Sequence, residues 1–383
     1  MNRQHYIDTL RAVNIFLLTL YHSGLVFSPQ GWFIENAEKS ALLGDLTHSA
    51  LVLVPMPLLM FLAGATTFYS FQKRSSRQYI QERFTHILLP LVLGIAIVIP
   101  PHVYTERLFR GRFSGSFIEF YPKFYTEGIV PAGNFTYRHL WFLAYLLVLS
   151  LVALPIFGAI NRNREAIARF LRHPLAILLP ALPMIAIEIA LRADWYTTLN
   201  IFADWANILL YFQVLVWGYM LTSHADIQAA VRRAAPAALL IGMGLMLISE
   251  IIFTEDQLLG FIPRDDPQYV WACILRSLII WCGLVGIMGM GSRWNTNPHP
   301  SSPVYGGGVR RGLIRYAKTI SYPYYIFHQT VIVLLAYYFI IDLNASVLAK
   351  FVILVISTAI ITLLLCEITR RLPAIGQVFG MRR

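Results

Sequence analysis

The stretch FVILVISTAIITLLLC, residues 351–366, carries no charged side chain and belongs to an apolar run over 346–368. A helix needs about 20 apolar residues to cross the ~30 Å hydrocarbon core of a bilayer, and this run has that length. Because it does not alternate like a membrane β-barrel strand, it favours a helix. Nine similar runs precede it, at 9–28, 46–71, 84–101, 139–160, 174–192, 200–222, 235–254, 269–290 and 320–341. The sequence therefore predicts an all-α, polytopic integral membrane protein with about ten transmembrane helices.

The composition is typical of a chain that lies mostly in lipid. Of the 383 residues, 57% are hydrophobic and 13% are charged, and the charged fraction is roughly half that of a soluble domain. No stretch is polar enough to fold apart, which predicts a single transmembrane domain over 1–383. Cys273, Cys282 and Cys366 all fall in predicted helices without metal-type spacing. We interpret them as packing residues.

Basic residues predict which side of the membrane each loop occupies. They cluster at both termini and in the loops 72–83, 161–173, 223–234 and 291–319, and these alternate with loops that hold acidic residues, namely Glu35, Glu38 and Asp45, then Glu255, Asp256, Asp265 and Asp266, then Asp342. Because Lys and Arg near helix ends are retained in the cytoplasm, both termini are predicted to be cytoplasmic. The segment 291–319 is then a cytoplasmic linker, and the aromatic-rich segment 102–138 is an extracytoplasmic loop. The net charge of +11 is mainly a topology signal and does not indicate a nucleic-acid partner.

The first apolar run contains two ionisable side chains, Arg11 and His22. At ~100° per residue, eleven positions make about three turns, so both lie on one helix face roughly 16 Å apart. Asp8 and Asn14 fall on nearly the same stripe. Such a stripe faces the bundle interior or a water-filled cavity, where ionisable groups are candidates for function. The alternative is that Arg11 reaches the inner headgroups and His22 only hydrogen-bonds a neighbouring helix.

Three further histidines fall near predicted outer helix ends: His48, His102 and His139. Together with His22 they are predicted to line one outward-facing site, although each alone is more typical of a hydrogen-bonded interface residue. Glu188 lies deep in an apolar run and either lines the same pathway or simply pairs with an arginine or a backbone donor.

Five motifs occur in order along the chain: Arg11 with His22, HSALVLVPMPLLMFLAG at 48–64, QERFTHILLPLVLG at 81–94, RHLWFL at 138–143 and SYPYYIFHQTVIV at 321–333. In this order, and with a ten-helix topology, they resemble the acyltransferase-3 family of membrane acyltransferases. The start of the chain through Trp32 and the HLWFL motif are most similar to the branch that succinylates glucans. The resemblance spans nearly the whole chain.

This resemblance implies a membrane O-acyltransferase of a bacterial inner membrane. It would move an acetyl or succinyl group from cytoplasmic acyl-CoA, a co-substrate, to a hydroxyl of an extracytoplasmic glycan or related acceptor. By the resemblance, His22 is the catalytic histidine and Arg11 its partner. A neutral imidazole can take the proton of an attacking hydroxyl, and a covalent acyl-histidine is the alternative. We expect no further cofactor and no metal.

The family usually carries an Arg-x-x-Arg pair for CoA phosphates at the inner start of the third helix. Here these positions are Arg83 and His86, so the second arginine is replaced. Arg74 and Arg77 have the same spacing and either compensate or are only a stop-transfer cluster. The remaining candidates for binding or structural roles are His139, Trp141, Tyr325 and His328 by the resemblance, and His48 by its position.

The main rival function is a polytopic transporter of a small polar solute. Intramembrane Arg, His and Glu residues also line transport pathways. The two halves of this sequence show no internal repeat, which favours the enzyme. The oligomeric state is not indicated by any pattern in the sequence.

Overall fold

The structure is a computed structural model that describes residues 5–44, 53–195, 197–253, 257, 261–294 and 307–379. In chain order the helices are α1 His5–Leu25, α2 Pro55–Phe71, α3 Ser76–Phe109, α4 Phe117–Thr126, α5 Arg138–Val152, α6 Leu154–Arg162, α7 Arg164–Leu171, α8 Pro174–Leu191, α9 Trp205–Thr222, α10 Ala225–Ile252, α11 Tyr269–Trp294, α12 Gly307–Leu335 with a π-helical continuation Ala336–Ile340, α13 Val347–Arg371 and α14 Pro373–Val378. Within the described ranges the structure has no β-strand, only an isolated bridge between Ile129 and Phe135. The predicted all-α class is confirmed.

Every predicted apolar run contains helix. Among the described residues, seven helices are long and apolar enough to cross a membrane, and an eighth span forms if α5 and α6 are joined across their 51° bend. The bend falls at Ala153, two residues before Pro155, because proline removes a backbone donor and cannot continue the preceding turn. The two remaining predicted spans, α1 and α2, do not meet these requirements. Polar residues lower the hydropathy of α1, and the described part of α2 has only 17 residues. The chain is an integral membrane protein, while the count of ten spans and the sides of the termini stay predictions.

Two segments that the sequence predicts to be loops are partly helical in the structure. The segment 102–138 begins inside α3, which continues to Phe109, and it contains α4, whose start is fixed by a capping box between Ser116 and Glu119. Both α11 and α12 extend into the segment 291–319, of which 295–306 lie outside the described residues. Hydropathy marks where apolar residues stop, whereas a helix continues as far as its backbone hydrogen bonds do.

Contacts within the chain define two compact units. The first consists of Met1–Arg11, Val52–Glu82 and Tyr145–Gly306, and the second of Ala12–Leu51, Arg83–Ala144 and Gly307–Arg383. The first unit thus contains α2 and α6 to α11. The second contains most of α1 and α3, together with α4, α12, α13 and α14, and α5 is divided between the two units at Tyr145.

In the first unit, glycines let α2 and α9 pack backbone against backbone. A Cβ added to Gly64 would lie 2.0 Å from the carbonyl oxygen of Leu215, and one added to Gly218 would lie 2.0 Å from that of Phe61. Close packing through small residues is the usual means of joining helices in lipid, because lipid tails are as apolar as the side chains they would replace.

In the second unit, an apolar cluster fastens the segment after α1 to α12 and α13. Val26, Phe27 and Ile34 are fully buried there. They pack with residues of the two helices and of the segment itself, namely Leu43, Ile332, Val333, Ala336, Ile340 and Leu354. This cluster fixes the chain on both sides of Trp32.

Candidate active site

Two histidines from distant parts of the sequence meet in the second unit. His22 lies in the last turn of α1, and its side chain is half-buried. Its Nδ1 atom lies 3.1 Å from Nε2 of His328, which is on α12 and fully buried. The Nδ1 atom of His328 lies 2.8 Å from the backbone carbonyl oxygen of Tyr325. The three groups form a hydrogen-bonded chain that includes the ring of His22.

The carbonyl at the far end of this chain determines where the protons lie. A carbonyl oxygen only accepts, so Nδ1–H of His328 donates to Tyr325. In a neutral imidazole the other nitrogen is an acceptor, so Nε2 of His328 accepts from Nδ1–H of His22. The lone pair of neutral His22 is then on Nε2. Fixing one nitrogen of a histidine through a partner is the usual way in which a protein selects the tautomer of a base.

His139 and Tyr325 support this chain from behind. The hydroxyl of Tyr325 donates to the backbone carbonyl of His139, whose Nε2 lies 2.9 Å from the carbonyl oxygen of Ile326. The rings of His139 and His328 are 5.5 Å apart. The structure thus brings His139, Tyr325 and His328 together with His22: His328 bonds to His22 and to the Tyr325 carbonyl, and Tyr325 bonds to the His139 carbonyl. Their role in substrate binding stays a prediction.

The other candidates of this region lie around the same helices. Trp141 is buried at the start of α5 and packs on Phe142. His102 on α3 is buried with its ring 4.7 Å from that of Phe33, and among the described residues neither of its ring nitrogens has a hydrogen-bond partner. His48 lies outside the described residues. Of the four histidines predicted to line one site, His22, His102 and His139 therefore belong to the second unit.

Sequence analysis missed an arginine pair close to these rings. The guanidinium of Arg138 lies 4.3 Å from the ring centre of Phe33 and is ion-paired with Glu106. Arg107 is buried nearby in sequence and donates to Asn134 over 2.8 Å. The sequence did offer a signal for them, because arginines in a segment predicted to be extracytoplasmic run against the bias of basic residues to the inside.

Arg11 is held within the first unit. Its guanidinium lies 3.6 Å from the carboxylate of Asp8 and donates to the hydroxyl of Thr66 over 3.3 Å. Asp8 and Asn14 are buried, whereas Val13 on another face of α1 is 52% exposed. The burial agrees with the predicted polar stripe facing the interior. Arg11 and His22 share α1 as predicted, and each has its own hydrogen-bond partner on another helix.

The residues predicted to bind the acyl donor differ in their contacts and in their exposure. Arg74 forms a 2.5 Å ion pair with Glu82 and also donates to Ser70, so its charge is partly neutralised. Arg77 is exposed. In the second unit, Arg83 is half-buried and directly precedes a π-helical segment, Phe84–Leu88, that contains His86. Such π-helical turns occur frequently at functional sites.

The first unit contains a separate buried ionic cluster. The two oxygens of Glu188 accept from Arg192 over 2.6 and 2.9 Å, and Nε of Arg276 lies 3.4 Å from one of them. Arg192 also donates to Asn207 over 3.0 Å. Of the two interpretations of Glu188, pairing with arginine is the one the structure shows. Across the described ranges, no three His, Cys, Asp or Glu side chains are grouped as metal ligands.

Comparison with known proteins assigns the family. The family described as "Acyltransferase domain", acyltransferase-3, matches residues 4–367. Because this match covers almost the whole chain, the protein belongs to the acyltransferase-3 family. The resemblance inferred from the five motifs is confirmed, and the class of protein is a membrane acyltransferase family.

Within this family, the chain is similar to curated proteins that share one name. The chain is 24% identical over 167 residues to "Glucans biosynthesis protein C" of Escherichia coli (strain K12), and 25% identical over the same length to the protein of that name from Shigella boydii serotype 4 (strain Sb227). The match spans 43% of this chain and 41% of each relative, less than half of their length. No solved structure matches this chain.

Proposed function

We propose that this protein is a membrane O-acyltransferase. It moves an acetyl or succinyl group from cytoplasmic acyl-CoA to a hydroxyl of an extracytoplasmic glycan or related acceptor, in a bacterial inner membrane. The observation that carries the proposal is the hydrogen-bonded chain from the Tyr325 carbonyl through His328 to the half-buried ring of His22, which places the lone pair of that neutral imidazole on Nε2. Membership of an acyltransferase family and relatives named for glucan biosynthesis support it.

The chemistry follows from the tautomer of His22. Nε2 takes the proton of the attacking hydroxyl as its oxygen bonds to the thioester carbonyl carbon. The carbon–sulfur bond then breaks, and the CoA thiolate leaves and recovers the proton from His22. Throughout, Nδ1–H of His22 stays hydrogen-bonded to His328. General-base assistance of this kind is typically worth 10²–10⁴-fold in rate. A route through a covalent acyl-His22 uses the same lone pair and predicts ping-pong kinetics.

Arginines serve the donor in this proposal. Arg83 binds CoA phosphates, because a guanidinium presents a planar fork of donors that matches a phosphate. Arg74 is less suited to this role, since Glu82 already accepts from it. Arg11, oriented by Asp8, lies about three turns from His22 along α1 and orients the donor.

The decisive experiment replaces the base and keeps its size. His22→Gln in purified protein, reconstituted in lipid and supplied with labelled acyl-CoA and a glycan acceptor, should lose roughly 10²-fold or more in kcat with little change in donor KM. An amide fills a similar volume and still hydrogen-bonds, but it is not basic. His224→Gln is the matched control, since this histidine lies in the first unit and contacts Glu165. A folded His22→Gln protein within a few-fold of wild type would remove His22 from the chemistry, and solute uptake without ester formation would favour the transporter.

The sidedness of the reaction has its own test. Single cysteines at Ser40, Thr126 and Asp265 should react with an impermeant thiol reagent applied from the extracytoplasmic side, and a cysteine at Ser301 should not. The reverse labelling pattern would overturn both the orientation and the cytoplasmic donor.

A further inference from the structure

We infer that Trp32 is the platform on which a sugar ring of the acceptor packs, and that the Glu35–Arg110 ion pair beside it hydrogen-bonds the hydroxyls of that ring. The inference deepens the proposed function and rests on it, because it is the role of His22 that places an acceptor here.

The first observation is that Trp32 and His22 are neighbours and that neither of them is fully buried. Their rings are stacked, with centroids 5.9 Å apart and an interplanar angle of 22°. Both side chains are half-buried, whereas His328 behind them is fully buried. A molecule that reaches His22 from outside the helices therefore meets the indole of Trp32 as well.

The second observation is that the backbone around Trp32 is held from several directions. Arg110 donates to the carbonyl of Trp32 itself. Two residues beyond it, Ile34 is fully buried, and the amide of Asn36 donates to the carbonyl of Val26 over 2.9 Å. Lys350 on α13 donates to the side chain of Asn36 over 3.0 Å. Ordering a binding group in advance reduces the entropy lost on binding.

The residue next to Trp32 is fixed as well. Phe33 lies with its ring 4.7 Å from His102 and 4.3 Å from the guanidinium of Arg138, while its own ring is 4.9 Å from that of Trp32. Because Phe33 is held by His102 and Arg138 and also contacts the indole, it limits how far the side chain of Trp32 can rotate towards the helices. The indole thus lies beside the proposed base with part of its side chain exposed.

The third observation is the chemistry at the rim. Glu35 accepts from Arg110 over 2.6 Å and from Lys39 over 3.0 Å, and all three side chains are partly exposed. Burial raises the pKa of Glu35, but the hydrogen bonds from Lys39 and Arg110 outweigh it and hold the pKa below its usual value. The carboxylate is ionised at neutral pH and can accept from sugar hydroxyls, while the guanidinium can donate to them.

This combination selects a class of ligand. A flat aromatic face with a few placed polar groups is suited to a ring that is apolar on its faces and hydroxylated at its edge, as a pyranose is. An acyl chain would instead need apolar neighbours on every side, which the ions at this rim do not provide. The extra positive charge of the two cations over one carboxylate favours uncharged or acidic glycans over cationic ones.

The test measures sugar binding without turnover. Wild-type protein in lipid nanodiscs is titrated by calorimetry with a short glucose oligosaccharide in the absence of acyl-CoA. Trp32→Leu keeps an apolar contact with Phe33 but lacks a flat face, and should weaken binding about tenfold, whereas Trp32→Tyr should retain most of it. In turnover assays Trp32→Leu should raise the KM for the acceptor and leave that for acyl-CoA unchanged. Trp205→Leu is the matched control, because Trp205 is 47% exposed at the start of α9.

The outcomes separate this inference from the proposed function. His22→Gln should still bind the oligosaccharide. If it does, and if even the wild-type protein shows no acyl transfer, Trp32 is a sugar platform but the assignment as an enzyme is wrong. If wild type transfers acyl groups but Trp32→Leu and Trp32→Tyr leave acceptor KM and sugar affinity unchanged, the platform is wrong and the enzyme assignment stands. A weakened affinity for acyl-CoA in Trp32→Leu would assign the indole to the donor and also overturn the inference. Thermal unfolding of each variant confirms that it is folded.

Discussion

The two compact units each contain a buried polar cluster, and the clusters differ in kind. In the first unit, Glu188 lies between Arg192 and Arg276, and all three side chains are buried. In the second unit, His22 and His328 are joined by a single hydrogen bond, and His22 is half-buried. The first cluster joins a carboxylate to two guanidinium groups, and the second joins two imidazoles, each with one donor and one acceptor nitrogen when neutral.

The difference shows how a structural cluster can be told from a reactive one. A buried carboxylate and its arginines must saturate one another, because an unpaired charge in this environment is very costly. Such a cluster joins α8 to α11, and through Asn207 to α9. Two imidazoles joined by one hydrogen bond, one of them only half-buried, are instead suited to the general-base role of the proposed reaction. We therefore assign the first cluster to stability and the second to chemistry.

The largest expected effect is on the ionic cluster. Glu188→Gln leaves two buried arginines beside an uncharged amide, and removing one partner of a buried ion pair typically destabilises by about 3–5 kcal/mol. We expect a clear fall in Tm, measured by thermal unfolding in detergent. Glu165→Gln is the matched control, because Glu165 is exposed and its contacts with Arg164 and His224 are at the surface. If Glu188→Gln has the Tm of wild type but no activity, this cluster takes part in the reaction, and the distinction between a structural and a reactive cluster is wrong.

The next effect should appear in kcat and not in stability. His328→Phe keeps a ring but removes the acceptor for Nδ1–H of His22, so His22 also populates the other tautomer. One hydrogen bond is worth about 0.5–1.5 kcal/mol, so kcat should fall about tenfold while both KM values stay unchanged.

The amide oxygen of His328→Gln can accept in place of the imidazole and should restore part of kcat. Tyr324→Phe is the control, because it keeps the ring stacked on His328 and removes only the hydroxyl that contacts Thr19. If His328→Phe lowers Tm and leaves kcat per folded molecule intact, His328 belongs with the structural residues instead.

A smaller effect is expected for the donor. Arg83→Ala should raise the KM for acyl-CoA several-fold and leave the acceptor KM unchanged, since a charge-assisted hydrogen bond to phosphate is lost. Arg77→Ala is the comparison, because Arg77 is exposed on the preceding turns of α3. Equal donor KM values for the two variants would identify Arg83 as a topology residue only.

The smallest effect concerns the surface ion pair of Glu35. Because its pKa is lowered in the folded protein, its contribution to stability is present above the ordinary value of 4.5 and is lost as pH falls through the lowered value. Glu35→Gln should lower stability at neutral pH by less than about 1 kcal/mol and make no difference in acid. Melting curves of both proteins over this pH range provide the check. A difference that persists in acid would show that the variant acts through packing rather than charge.

The sequence by itself determined the class of fold and marked His22 as the candidate base. Apolar runs of about 20 residues leave a chain little choice but to form helices in lipid, because every backbone polar group must be paired within its own segment. Arg11 and His22 are eleven residues apart, and helix geometry alone places them on one face. The structure shows that Asp8 and Asn14 of the same stripe are buried. The pairing of Glu188 with an arginine was one of two open alternatives.

The tertiary structure decided which residues serve that base. His22 and His328 are 306 positions apart, and neither helical periodicity nor hydropathy relates residues on different helices. The same holds for Trp32, which is unremarkable in a loop until the burial of Ile34 and the contacts of Arg110 and Lys350 hold it beside His22. Local pattern determines secondary structure because its causes lie within a few residues, whereas a site depends on which helix faces meet. That is settled by packing across the whole unit, where small residues and buried hydrogen bonds select the partners.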